Sequence, residues 1–434
     1  MWMPAGSGPS TARVVPRRAL VVVCAASAVE WYDYAVYGAL ASVLVGVVLP
    51  SGAAREGLVP VFAVFATSFL TRPLGAILVG LRADRSGRRQ ALATMVLLMT
   101  AATAAIGLLP PWSAIGLLAP VLLLLLRMVQ GFSSGGGISS SIPFVAESAP
   151  RTRWGLYGGW HTSTVAGGIA SGIAVAGIVS AVLSADDLQR WGWRIPFLLA
   201  VPLGLVGWSG WRRLGETAEF RALGPGRPAP SLGRVWREHG RAVRTGFALI
   251  GVLAATFNVW FVFLPAHLVA EDVHRLPVAL GCAGAGLVVA ALSAPLLGLL
   301  SDRVGRRPLL ATGTVGLGVL VLPLYGLASS GSTSGLLVAD VVVGALLGSL
   351  VVSAYLAERF PVELRATGVA MTYGLATALV GGTAPLIGSV LANRGWPAGG
   401  AIYLAAWCAA GVVATVRAPI ALSSPGRLAE RAPC

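Results

Sequence analysis

Glu30-Trp31-Tyr32-Asp33-Tyr34-Ala35-Val36-Tyr37-Gly38 places two carboxylates and three tyrosines inside an apolar run that is otherwise long enough to cross a bilayer. An ionised carboxylate at bilayer depth costs several kcal/mol, roughly 2.5–3.5 on insertion scales. A chain keeps such groups only where they face a protein interior or a watery cavity. Glu30 and Asp33 are three apart, and Tyr34 and Tyr37 follow at helical spacing, so the four share one face of a helix. That face reads as the wall of a polar pathway through a membrane.

The rest of the chain is composed for lipid. Of its 434 residues, 56% are hydrophobic and 11% charged, with a mean hydropathy of +0.79. Soluble domains carry roughly 25% charged residues, which excludes a soluble multidomain enzyme of this length. The formal charge is +15, and all 32 basic residues are arginine, which reads as coding bias. Such an excess could suit nucleic acid, but its placement argues against that partner. Twenty-five arginines fall in alternate inter-span segments, five (Arg55, Arg190, Arg194, Arg275, Arg394) fall on the opposite side, and Arg72 and Arg127 lie within apolar runs. By the positive-inside rule both termini are expected in the cytoplasm of a cell (plasma) membrane protein.

Cys24, Cys282, Cys408 and Cys434 show no metal spacing and no pairing pattern, so neither a metal nor a disulfide framework is expected. Arg17-Arg18, an apolar run and Ala26-Ser27-Ala28 mimic a signal peptide, but cleavage there would halve the first span just before Glu30.

Apolar segments of spanning length, about 20 residues, are expected near 19–48, 58–81, 91–109, 114–141, 155–183, 195–213, 246–269, 277–300, 308–328, 335–357, 367–392 and 399–416. The fold expected is therefore an all-α integral membrane protein with twelve transmembrane helices in two six-helix pseudo-repeats. Its parts are a disordered cytoplasmic N-terminus (1–18), a six-helix bundle (19–213), a basic cytoplasmic linker (214–245), a second bundle (246–417) and a cytoplasmic tail (418–434). The repeat is visible: Gly80-Leu-Arg-Ala-Asp84-Arg85-Ser-Gly87-Arg88-Arg89 returns 218 residues later as Gly298-Leu-Leu-Ser-Asp302-Arg303-Val-Gly305-Arg306-Arg307. A second motif, Glu147 to Gly155, returns at Glu358 to Gly368 in the same order. Paired six-span halves are a transporter architecture, with a site expected between them near the midplane.

The doubled Gly-x-x-x-Asp-Arg-x-Gly-Arg-Arg loop resembles the signature of the major facilitator superfamily. Glu30-Trp-Tyr-Asp-Tyr, Arg72-Pro73-Leu-Gly75, Arg127-Met-Val-Gln130-Gly131-Phe, Trp191-Gly-Trp-Arg194-Ile-Pro196-Phe, Glu358-Arg-Phe-Pro361 and Gly381-Gly-Thr-Ala-Pro385 together resemble its metabolite:proton symporter family. The resemblance runs from the first span to the eleventh. It implies proton-driven uptake of an organic acid or of a zwitterionic osmolyte such as proline or betaine, by alternating access, without a cofactor. One position departs: where the family carries Gly-Gly-Glu in the fourth span, this chain has Gly135-Gly136-Gly137.

Asp33, then Glu30, are the candidates for the proton-coupling group, each set against a fixed ion pair with Arg127 or Arg72. Arg127, deep in the fourth span, suits a counter-ion to Asp33 or an anion site. Arg72, before Pro73, reads as structural rather than substrate-binding. Tyr34, Tyr37, Gln130, Asn258, Trp260 and Tyr373 are candidate pocket walls. His161 is a candidate proton relay, set against a plain helix–helix hydrogen bond. Asp340, expected to be wetted by an outer vestibule, and His267 are weaker candidates. Asp84, Arg85, Gly87 and Arg88, with Asp302, Arg303, Gly305 and Arg306, read as a cytoplasmic gate held by ion pairs. Glu147 with Arg153, and Glu358 with Arg365, are expected to brace adjacent loops.

The sequence has no Walker-type loop and no clustered catalytic set at one leaflet, so neither ATP drive nor enzymatic catalysis is indicated. The expected partners are a small-molecule substrate, protons and the lipid bilayer. Two alternatives remain beside uptake: a proton-coupled metabolite exporter, and a non-transporting membrane sensor.

Overall fold

The computed structural model describes residues 17–49, 58–86, 88–213 and 232–417. Gly87, the side chains of Asp84, Arg85 and Arg88, and the chain over 214–231 lie outside the described residues. Among those described, nine helices are long and apolar enough to cross a membrane, one bent pair forms a tenth, and two shorter apolar helices accompany them. In chain order these twelve are α1 (Ser27–Ala39 with Ala41–Val48), α2 (Val59–Val79), α3 (Ala93–Gly107), α4 (Leu118–Glu147), α5 (Arg151–Val182) and α6 (Arg194–Gly210). The second six are α7 (Leu232–Ala270), α8 (Leu276–Val304), α9 (Arg306–Ala328), α10 (Thr333–Arg359), α11 (Leu364–Asn393) and α12 (Gly399–Arg417).

Twelve spans match the sequence expectation, with one change of boundary. Helix α7 starts at Leu232, inside the stretch expected to be linker. The reason is amphipathic spacing: Val235 and Val243 are buried, while Arg234 and Glu238 pair at 2.9 Å one turn apart on the exposed face. The helix bends at His239 (φ −126°, ψ 19°), where the polar segment meets the apolar one.

Three distortions set the site. Helix α1 breaks at Leu40 with a 64° bend. Both α7 and α11 carry a π-helical turn within the span, Val259–Phe263 and Thr377–Gly381. Such turns interrupt regular hydrogen bonding and re-aim side chains, and they recur at functional sites.

Close approach between helices depends on glycine at two places. A Cβ on Gly131 would collide with the Ser68 carbonyl, and one on Gly135 with the Arg72 carbonyl, so α4 lies directly against the backbone of α2. On α5, a Cβ on Gly155 would meet the Gly298 carbonyl, and one on Gly159 the Ala294 carbonyl of α8. Small residues four apart let helix backbones touch where lipid supplies no hydrophobic drive between them. The two halves also meet at the other end of the bundle, where Gly38 abuts Val262 and Phe62 lies 6.3 Å from Phe263. The halves therefore touch at both ends of the bundle.

Candidate functional site

The carboxylate face of α1 divides between two surroundings. Glu30 and Asp33 line a cavity of about 40 Å³ inside the first half, together with Met99, Thr103, Ser134 and Gly137. At roughly 10–15 Å³ per water this has room for about three or four. Tyr34 turns instead to the second half, its hydroxyl donating to Asn258 Oδ1. Tyr37 points to α2, donating to the Val61 carbonyl at 2.9 Å. A stripe about 100° wide touches α3 and α4 on one flank and α2 and α7 on the other, so one shared face serves two environments.

Asp33 is 2% exposed and makes no direct ion pair with Arg127 among the described residues. Gln130 stands between them, giving one N–H to Asp33 Oδ2 at 2.7 Å and the other to Thr103 Oγ1 at 2.8 Å. Its oxygen accepts from Arg127 Nη1 at 2.9 Å. Thr103 uses its own proton on the Met99 carbonyl, which fixes the orientation of the Gln130 amide. Asp33 Oδ1 is buried without a partner. The expected counter-ion is thus an indirect one.

Arg127 is 2% exposed, with Nη2 on Ser68 Oγ at 3.3 Å and its plane 4.2 Å from the Tyr37 ring. Arg72 is 5% exposed and stacked on Phe69 at 4.3 Å, with Tyr34 and Trp31 at 5.5 and 5.6 Å. Cation–π contacts of this kind contribute about 0.5–2 kcal/mol each. Arg72 Nε and Nη1 are buried without partners. Glu30 accepts from Ser134 Oγ at 2.6 Å. A Cβ on Gly137 would lie 2.6 Å from Glu30 Oε2, so the Glu30 carboxylate occupies the space beside the departing glycine.

His161 is buried, its Nε2 3.1 Å from Ser141 Oγ and its Nδ1 unpartnered. Asp340 is corrected by the structure: it is 2% exposed and accepts from Trp260 Nε1 at 2.7 Å, rather than facing a wet vestibule. Trp260 is thereby committed to the interior of the second half, not to a pocket wall. His267 stacks on Phe263 at 5.1 Å, with Tyr325 Oη 3.5 Å from its Nε2.

The second copy of the loop motif is fully drawn. Gly305 takes φ +95°, a conformation that favours glycine, and turns α8 into α9. Arg306 reaches Asp302 at 2.6 Å and Glu358 at 2.8 Å, and Asp302 accepts the backbone N–H groups of Gly155 and Leu156 at 2.8 and 2.9 Å. Asp302 therefore caps the start of a helix in the other half. Arg303 is exposed. The braces are re-paired relative to expectation: Arg365 reaches Glu147 at 3.4 Å across the halves, Glu358 takes Arg306, and Arg153 is exposed. Local sequence spacing could not show this, because the repeat brings corresponding loops together from opposite halves.

Sequence reasoning missed Ser68, Thr103 and Ser134. For Ser134 a signal existed: Arg127, Gln130, Ser134 and Ser141 recur at helical spacing on one face of α4.

Residues 19–223 match the family described as "Sugar (and other) transporter". The chain is 32% identical over 396 residues to the proline/betaine transporter of Escherichia coli (strain K12), covering 86% of this chain and 77% of that one. It is 34% identical over 390 residues to the alpha-ketoglutarate permease of the same strain, covering 87% and 88%. Among solved structures it resembles the proton:xylose symporter XylE from E. coli, at a TM-score of 0.70 and 17% identity, covering 92% of this chain and 94% of that one. These likenesses, with twelve spans in two six-helix repeats, identify the chain as a multi-pass membrane transporter of the major facilitator superfamily, belonging to its metabolite:proton symporter family.

Proposed function

We propose that this chain imports a small polar metabolite bearing a carboxylate, coupled to protons, and that Asp33 is the group that takes and releases the proton. One observation carries the assignment of Asp33. Its carboxyl is buried beside a small cavity, held on one oxygen by Gln130 and bare on the other, with no cation paired to it directly. A carboxyl so placed is neutral or charged according to what surrounds it, whereas one locked to a guanidinium stays charged. Glu30, on the same cavity, is the second proton carrier. The relatives' names support the substrate class, since proline, betaine and alpha-ketoglutarate all carry a carboxylate.

Alternating access follows from how the halves touch. The contacts of Asp302 with Gly155 and of Arg365 with Glu147 tie the halves at one end, and those of Gly38 with Val262 at the other. Opening either end requires one set to break while the other persists. The arginine distribution supports an orientation with both termini and the Asp302 end in the cytoplasm of the plasma membrane. Asp302, Arg306, Glu147 and Arg365 then act as the cytoplasmic latch.

The test is proton movement in proteoliposomes driven by added glycine betaine, proline or 2-oxoglutarate, for wild type and Asp33→Asn. External alkalinisation with wild type that vanishes in the variant, while binding persists, is expected. Full coupling in the variant transfers the role to Glu30. Protons driven in the opposite sense establish export instead.

A further inference from the structure

The two buried arginines of the first half are spent differently. Arg127 has Nη1 on Gln130 and Nη2 on Ser68, so both its terminal nitrogens serve the protein and its Nε is buried without a partner. Arg72 is just as removed from solvent, yet its Nε and Nη1, on opposite edges of the guanidinium, have no acceptor. No carboxylate lies within ion-pair distance of it among the described residues. An unpaired buried guanidinium is expensive to keep and is retained where something else neutralises it.

What Arg72 faces is a small cavity on the seam between the halves. From the first half Arg72, Ser134 and Gly135 line it, and from the second half Tyr373, Gly374 and Thr377. The ring of Phe69 at 4.3 Å holds the guanidinium plane, leaving its edges as the reactive part. On the opposite wall a Cβ at Gly374 would meet nothing within 4 Å, so space continues there. The cavity holds about 10 Å³, a closed seam rather than an occupied site.

We infer that Arg72 is the carboxylate-binding element of the substrate site, the ligand carboxylate accepting from one of its free N–H groups between α2, α4 and α11. This rests on the transport reading above and deepens it. A guanidinium offers planar donors matched to a carboxylate. An anion seated there also touches Tyr373 and Thr377 of the other half, which gives it the differential contact that closes the halves around it. Ser134 lines this cavity and the Asp33 cavity alike and donates to Glu30 at 2.6 Å, so the bound carboxylate sits one hydrogen-bonded residue from the second proton carrier.

The experiment is equilibrium binding to the purified full chain in proteoliposomes, with glycine betaine and 2-oxoglutarate as carboxylate probes and choline as the carboxyl-free analogue of betaine. The expected result is binding of at least one carboxylate, with choline at least tenfold weaker. Arg72→Gln weakens that binding tenfold or more, Arg72→Lys falls between, and Arg234→Gln, on the exposed face of α7, binds as wild type does. Wild-type affinity in a folded Arg72→Gln, or choline binding as tightly as betaine, overturns the assignment. If Arg72→Gln does not fold, Gly374→Leu serves, since its side chain grows into free space: a folded Gly374→Leu chain that binds normally overturns the site. If no carboxylate binds wild type but choline or xylose drives protons inward, the Arg72 site falls and coupled transport stands. If no solute moves protons, the transport reading falls as well.

Discussion

Gln130 bridges Asp33 and Arg127, donating to the carboxylate at 2.7 Å and accepting from the guanidinium at 2.9 Å. The arrangement keeps a positive charge near the carboxyl without locking the two together. It also makes Gln130 a junction, because three hydrogen bonds converge on its amide.

Gln130→Met keeps the volume and removes all three bonds. Loss of a partner to buried polar groups costs about 1–3 kcal/mol, and membrane hydrogen bonds fall toward the lower end of that range. The expected outcome is a modest drop in the unfolding midpoint in detergent with a large loss of substrate-driven proton flux. A variant that is destabilised but couples as wild type does would show Gln130 to be only structural.

Gly137→Ala tests the departure in the fourth span. Alanine is favoured over glycine in a helix interior by about 0.5–1 kcal/mol, and the atom in its way is the flexible end of Glu30. Thermal stability should therefore be unchanged or slightly higher. Displacing Glu30 from Ser134 should slow proton-coupled uptake, read as proton flux per substrate moved.

Asp302→Ala removes one of the two ion-pair partners of Arg306 and the acceptor for Gly155 and Leu156. A shift of about 1–3 kcal/mol in the balance between closed and open states is a 5- to 150-fold change. With a cysteine introduced at Ala354, near this end of the seam, the rate of modification by a membrane-impermeant thiol reagent should rise. An unchanged rate would remove Asp302 from the latch.

His161→Gln addresses the relay. His161 meets Ser141 at 3.1 Å, a bond that a glutamine amide can replace. Transport and its proton stoichiometry should persist within about twofold, as expected of a helix–helix contact. Loss of proton movement with substrate binding intact would make His161 part of the proton path.

The overall fold was legible in the sequence for a physical reason. In lipid every backbone polar group must be satisfied within its own segment, so apolar length by itself dictates helices. Arginine placement and the repeated Asp84 and Asp302 loops then order them. That Glu30, Asp33, Arg72 and Arg127 would face the protein interior was legible for the same reason, since a charge within a span is costly in lipid.

Their division of labour was not legible. Sequence spacing left Arg127 and Arg72 nearly equivalent, and favoured Arg72 as the structural one. Only the tertiary structure placed Ser68 and Gln130, from two different helices' faces, on the two terminal nitrogens of Arg127 while leaving Nε and Nη1 of Arg72 without acceptors. Likewise it paired Arg365 with Glu147, 218 residues away, where loop proximity had suggested Arg153. Burial and helix identity are local properties of a sequence in lipid. Hydrogen-bond partners depend on which helices glycine lets touch, as Gly131 and Gly135 do for α2 and α4, and that is decided only when the twelve spans are packed.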